Sequence, residues 1–228
     1  MNQNFFLADF QRELEQALRK SVKLRINNNR STMLSVKWEP DCTKVSMHRF
    51  FLDAPKNIMD DLACYIKKES KQLTPDVKSF MEDRINRLDY THELGKVKLN
   101  SAGSIYNLRQ LMDQVNRQYF ENQLDLNITW FEQQRKKFRS QFTFGLYHQP
   151  LRLVKINRLL DRVDVPEYLL SFVIYHEMLH CVFPSYCDGA GRRKVHHHQF
   201  KTMERKFHAY DHAMEWIELN RERLIRMR

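Results

Sequence analysis

No apolar run in this chain reaches the roughly 18 residues that a membrane-spanning helix needs, so a membrane protein is not expected. The opening stretch, "MNQNFFLADFQREL", carries acids early and lacks a basic segment followed by a long apolar one. That pattern argues against a secretory leader. Cysteine is scarce: Cys42, Cys64, Cys181 and Cys187 are the four present in 228 residues, and no two form a CxxC pair. Nothing here suggests a disulfide framework, and the expected compartment is the reducing cytoplasm. The sequence also lacks any internal repeat or low-complexity tract.

What is present reads as a globular protein, with 42% hydrophobic and 29% charged residues. The length suits one large domain, or one domain with a smaller one attached. The net charge is +10. Lys and Arg are spread along the chain, with local clusters at Arg135, Lys136, Lys137 and at Arg192, Arg193, Lys194. A basic balance of this kind fits contact with DNA, an anionic surface or a solvated face.

Periodicity gives the elements. Leu7, Phe10, Leu14 and Leu18 recur at helical spacing, which predicts a helix over 4–20. Val22, Leu24, Ile26 and then Leu34, Val36, Trp38 alternate as strands do, with Asn27, Asn28 and Asn29 as turn material between them. Val45 and Met47 suggest a third strand, and Ile58, Leu62 and Ile66 mark a helix over 55–69. A short helix and a connection follow over 70–104. Residues 105–122 form an amphipathic helix through Ile105, Leu108, Leu111, Met112, Val115 and Tyr119. Strands are expected at 126–131, around 142–148 and at 151–157. Pro166 then opens a helix, and 196–227 is helical with a break near Ala209, Tyr210 and Asp211.

The predicted helix after Pro166 contains "VIYHEMLHCVF", residues 173–183. His176 and His180 are four apart and therefore share one helix face, where both rings can reach one ion. Zinc suits such a pair, since imidazole is among its preferred ligands. Glu177 is turned by about 100° from His176, beside the ligands, where it can take a proton from metal-bound water. Two histidines leave the coordination incomplete. "VHHHQF" supplies His196, His197 and His198 at the start of a predicted helix. A ligand four residues before a core aromatic shares its face, which favours His196, paired with Phe200, over the other two. Glu204 is an alternative ligand. His208 and His212 also lie four apart but read as surface histidines.

The order of motifs resembles a family. "LMDQVNRQYFENQL" and "ITW", then "FGLYHQPLRLVKINRLL", "VPEYLLSFVIYHEMLH" and His196 with Phe200 are similar to the SprT-like zinc metallopeptidases, including the Spartan group. The resemblance covers about residues 105–210. The related YgjP-like minigluzincins have an N-terminal strand pair and helix similar to "LRINNN" and "LSVKWEPDCTKVSM", and a Tyr-and-Trp segment similar to "AYDHAMEWI". The chain departs from both in having three histidines where His-Gly is common. It also lacks the paired cysteines of the zinc ribbon found in many SprT proteins.

The resemblance implies zinc on His176, His180 and His196, with Glu177 activating the water. It also implies that the strand through Gly145, Leu146 and Tyr147 is an edge that aligns an extended substrate, with Gly145 and Tyr147 as substrate contacts. Tyr147, His148 and Tyr175 are candidate oxyanion helpers or, on the plainer reading, packing residues.

The expected fold is α+β: a zincin-like core of twisted sheet and metal-site helices, with a small N-terminal strand-and-helix unit. The expected units are 1–100 and 101–228. The expected function is a cytoplasmic, zinc-dependent metallopeptidase acting on protein or peptide through Zn²⁺. Two rivals are a DNA-associated Spartan-like protease and a non-catalytic, zinc-stabilised binding protein.

Overall fold

The structure is a computed structural model that describes residues 3–29, 31–132 and 142–226. In chain order its elements begin with α1 (Gln3–Leu18), β1 (Ser21–Asn27), β2 (Leu34–Trp38), β3 (Cys42–His48), α2 (Lys56–Ile66) and α3 (Pro75–Asn86). They continue with α4 (Leu108–Phe120), β4 (Asn127–Phe131), β5 (Gly145–His148), β6 (Leu153–Asn157) and α5 (Glu167–Val182). The last are β7 (Tyr186–Cys187), β8 (Arg193–Lys194), α6 (His198–Glu204) and α7 (Tyr210–Arg226). The protein is mixed α+β with small sheets. Contacts divide it into two units. One ends at Arg87 and takes in Tyr186–Lys194; the other is Leu88–Ser185 and resumes at Val195. The expected boundary near residue 100 thus stands beside a contact boundary at Arg87. No helix among the described residues is long and apolar enough to cross a membrane.

In the first unit, strand alternation puts Val22, Val45 and Met47 inside and leaves Lys23, Lys37 and Lys44 exposed. The sheet order is β1-β3-β2, with β1 parallel and β2 antiparallel to β3. β1 and β2 flank the asparagine-rich turn, yet they are not neighbours; β3 lies between them. Phe10 and Leu14 of α1 and Ile58, Leu62 and Ile66 of α2 supply the buried helix faces. β7 and β8 form a hairpin whose turn carries Gly191 at φ +69°. An added Cβ there would also lie 2.9 Å from Pro75 Cα, so the turn requires glycine on both counts.

The second unit repeats that succession. α4 leads into β4, β5 and β6, a short 3-10 helix at Arg158–Leu160, and α5. In the first unit a 3-10 helix at Arg49–Asp53 occupies the same place between β3 and α2. Sheet order is again first-third-second, β4-β6-β5, with β4 parallel and β5 antiparallel to β6. The likeness lies in topology, where the sequence shows no repeat.

α5 is apolar nearly all round because it is covered on more than one side. Leu169, Leu170, Val173, Ile174, Met178 and Leu179 join Leu111 and Val115 of α4 and Val154 and Ile156 of β6 in one core. Ile105, expected on the apolar face of α4, lies outside that helix and is 47% exposed. The helix starts later, capped by Asn107, whose Oδ1 accepts from Arg109 N at 3.0 Å and Gln110 N at 3.4 Å. The N–H groups of Ser104, Ile105 and Tyr106 instead donate to Asp161, at 2.5, 2.9 and 3.1 Å.

Candidate metal centre

α5 carries His176 and His180 on one face, with ring centroids 5.1 Å apart. His196 arrives from the segment before α6, and its ring lies 4.9 Å from that of His176 and 5.0 Å from that of His180. One ligand atom from each falls within 4.8 Å of the others, so the three lie close enough to hold one metal ion. Among the described residues they form the one His/Cys/Asp/Glu group of this kind. The Nε2 atoms of His180 and His196 stand 3.3 Å apart. Two imidazole nitrogens on a tetrahedral ion at 2.0–2.1 Å are about 3.3–3.4 Å apart, so this pair has the spacing that such an ion needs.

His196 is the member of "HHH" that enters the group, but not by the helical alignment expected. α6 begins at His198 with His197 at its N-cap, so His196 precedes the helix. What gathers the rings is Phe200, which is fully buried, with its ring 5.1, 4.7 and 4.8 Å from those of His176, His180 and His196. His197 turns toward Phe183, at 6.1 Å, and His198 is exposed.

Glu204, weighed as a ligand, is not in the group. His176 Nδ1–H donates to its Oε1 at 2.6 Å, leaving His176 Nε2 for an ion. Burial opposes charge on the His176 ring, but the Glu204 bond and the charges of Glu177 and Glu204 raise its pKa overall. Glu204 lies four residues after Phe200 on α6, so helical spacing from that aromatic is the sequence signal that points to it. The Tyr175 hydroxyl donates to Met203 O at 2.7 Å and ties α5 to α6 beside this contact. With its ring buried and its pKa pushed up to about 12 by burial, Tyr175 is a packing tie rather than an oxyanion helper.

Glu177 is 5% exposed. Burial pushes its carboxyl up to about 7, against the opposing pull of His176 and a hydrogen bond from Tyr147 N–H. That N–H is available because β5 is an edge strand among the described residues. Asn157 N donates to Phe144 O at 2.9 Å, which makes Phe144 and Asn157 a hydrogen-bonded pair. By alternation Leu146 bonds β6, while the backbone of Gly145 and Tyr147 faces away from it.

Gly145 lies directly against Glu177. A Cβ on it would stand 2.8 Å from Glu177 Cγ and 3.0 Å from Val173 Cγ1. Of the two expected substrate contacts, Gly145 therefore makes room for Glu177, and Tyr147 offers it an N–H. The Tyr147 hydroxyl is buried beside the Cys181 thiol, without a partner in good hydrogen-bond geometry, and burial raises its pKa. His148 pairs with Leu153 in the ladder.

Compared with protein-family models, curated proteins and solved structures, the chain finds no match. Its chemistry must be read from its own residues.

A cleft of about 390 Å³ opens beside His176 and Glu177, between residues 142–145, α5 and α7. The remaining sequence candidates lie elsewhere. His208 Nδ1 is 2.8 Å from the Tyr119 hydroxyl, which also accepts from His208 N at 3.2 Å. Neither His208 nor His212 joins a metal group. In the first unit Arg192 Nε donates to Asp188 at 3.0 Å and Arg193 Nε to Glu82 at 2.9 Å, while Lys194 Nζ is 3.5 Å from Asp188. That basic cluster is thus held in local ion pairs. Arg135, Lys136 and Lys137 lie outside the described residues. All four cysteines are free thiols.

Proposed function

We propose that this chain is a zinc-dependent metallopeptidase with a zincin-like core, similar in kind to the SprT-like enzymes. The observation that carries the reading is the meeting of three imidazoles, a buried carboxyl and an edge strand, beside a largely apolar cleft that His176 and Glu177 line. His176, His180 and His196 would hold the zinc. Zinc there supplies Lewis acidity, which makes water a nucleophile near neutral pH and polarises a carbonyl. Three protein ligands among the described residues suit an open catalytic site better than a closed structural one.

The chain's own groups do the rest. Glu177 takes the proton from the attacking water and returns it to the leaving amine. Tyr147 N–H and the space left by Gly145 fix its carboxyl. Glu204 fixes the tautomer of His176 through Nδ1. Apart from the Tyr147 N–H, which Glu177 takes, the outward backbone of β5 accepts an extended peptide as an added strand. Four free thiols accord with a reducing, cytoplasmic setting.

The test compares the zinc-loaded full chain with its Glu177→Gln variant on a denatured protein substrate. The expected result is a loss of at least ~100-fold in hydrolysis, with zinc content retained. Equal rates, or no hydrolysis by either protein, would overturn the reading.

A further inference from the structure

The cleft beside Glu177 is built from apolar side chains: Phe142 and Phe144 before and at the edge strand, Phe172 and Val173 on α5, and Met214 and Ile217 on α7. Met214, at the cleft, is 42% exposed. Three polar groups of its wall each have one partner. Thr143 O accepts from Asn157 Nδ2 at 2.8 Å, Phe144 O accepts from Asn157 N at 2.9 Å, and the Glu204 carboxylate accepts from His176. A neutral polar or acidic side chain entering the cleft would lose water and meet mostly apolar walls beside the Glu177 and Glu204 carboxyls. An apolar one would lose nothing.

The cleft is also continuous with the proposed reacting centre. Gly145 touches both Glu177 and Val173, since a Cβ on it would stand 2.8 Å from the first and 3.0 Å from the second. The Phe172 ring lies 6.4 Å from that of His176. A peptide lying along β5 with its scissile carbonyl near the three histidines therefore sets a neighbouring side chain over the cleft. About 390 Å³ lies near the small end of the ~300–1,000 Å³ range of ligand pockets and suits one bulky side chain.

We infer that this cleft is a specificity pocket that selects peptides with a bulky apolar residue, such as Phe, Leu or Met, beside the scissile bond. The inference rests on the peptidase reading above, and its test separates the two. Fluorescent decapeptides of Gly, Ser and Ala, with one central Phe, Leu, Ser or Asp, are offered to the zinc-loaded full chain and to Met214→Glu and Ile217→Ser variants. Thermal melting first confirms that each variant folds. Anisotropy of the same peptides with zinc-loaded Glu177→Gln reports binding without turnover.

The expected result is at least a tenfold preference for Phe and Leu over Ser and Asp, in hydrolysis and in binding, with cleavage adjoining that residue. Either pocket variant should shrink the preference to below threefold. Glu177-dependent hydrolysis that ignores the central residue, or a preference unchanged in both variants, would overturn the pocket and leave the peptidase standing. Should no peptide be hydrolysed, the peptidase reading falls, and anisotropy decides the pocket by the same tenfold criterion.

Discussion

Gly145 has a hydrogen where any other residue would direct a carbon at Glu177. Its would-be Cβ lies 2.8 Å from Cγ and 2.9 Å from Oε1 of that side chain. Gly145→Ala must therefore displace the carboxyl, or shift the edge strand, at a cost of about 1–3 kcal/mol. The three histidines are not touched by that change. We expect Gly145→Ala to bind zinc with a stoichiometry equal to the wild type, measured by metal analysis, while peptide hydrolysis falls by at least ~10-fold. Retained activity would mean that Glu177 is not held by this contact. The two histidines of α5 and Glu177 were legible in the sequence because four residues make one helical turn. The contact with Gly145, 32 positions away from Glu177, has no local signature. A glycine in a strand signals a close approach but not what approaches.

At the scale of elements, the start of α4 is fastened to the connection before α5. Asp161 has a side chain 3% exposed. Burial pushes its carboxyl up, but hydrogen bonds from the N–H groups of Ser104, Ile105 and Tyr106, with Arg158 nearby, outweigh it and lower the pKa. A Cβ on Gly103 would collide with this carboxylate. The Tyr106 hydroxyl adds a bond to Val165 O. The native carboxylate keeps its charge to lower pH than the unfolded one, so the unfolded chain takes up the proton first as pH falls. The stabilisation is full above the unfolded value of ~3.9 and is lost as pH drops through the lower, folded value. Asp161→Asn should cost about 2–3 kcal/mol at pH 7 in chemical denaturation, with the gap to wild type closing under acid. A gap that is constant with pH would show that the charge is not what matters. Sequence periodicity put a helix here but started it at 105. It could not see that a carboxylate more than 50 residues later claims the N–H groups that a helix would have used.

Across the whole molecule, two units share one topology, helix and three strands in the order first-third-second, then a 3-10 turn and a helix. The histidine group lies in the second unit, with His196 returning to it after the hairpin excursion of Tyr186–Lys194. An ion that binds the folded histidines but not the unfolded chain stabilises the fold by mass action, about 2.7 kcal/mol at 100 times its Kd. Calorimetry should therefore show a rise in Tm on adding zinc, reversed by a chelator and absent in His176→Ala and His180→Ala. An equal rise in those variants would show that the zinc acts elsewhere. The basic clusters illustrate the same limit of local reading. Arg192, Arg193 and Lys194 stand out as a run of charge, yet in the fold Asp188 and Glu82 pair with them, two carboxylates against three cations.

The sequence by itself determined the helices and strands with repeating apolar spacing, the His176, Glu177 and His180 motif, and the short list from which a third histidine would come. Each of these depends on side-chain direction within one element, which the 3.6- and 2-residue periods fix. Only the tertiary structure decided that β3 lies between β1 and β2, that His196 rather than His197 or His198 joins the group, and that Glu204 hydrogen-bonds His176 instead of joining the group itself. Those outcomes depend on which faces meet after loops close. Phe200 shows the physical reason: it buries itself beneath three rings drawn from α5 and the segment before α6, and packing of that kind leaves no periodic trace.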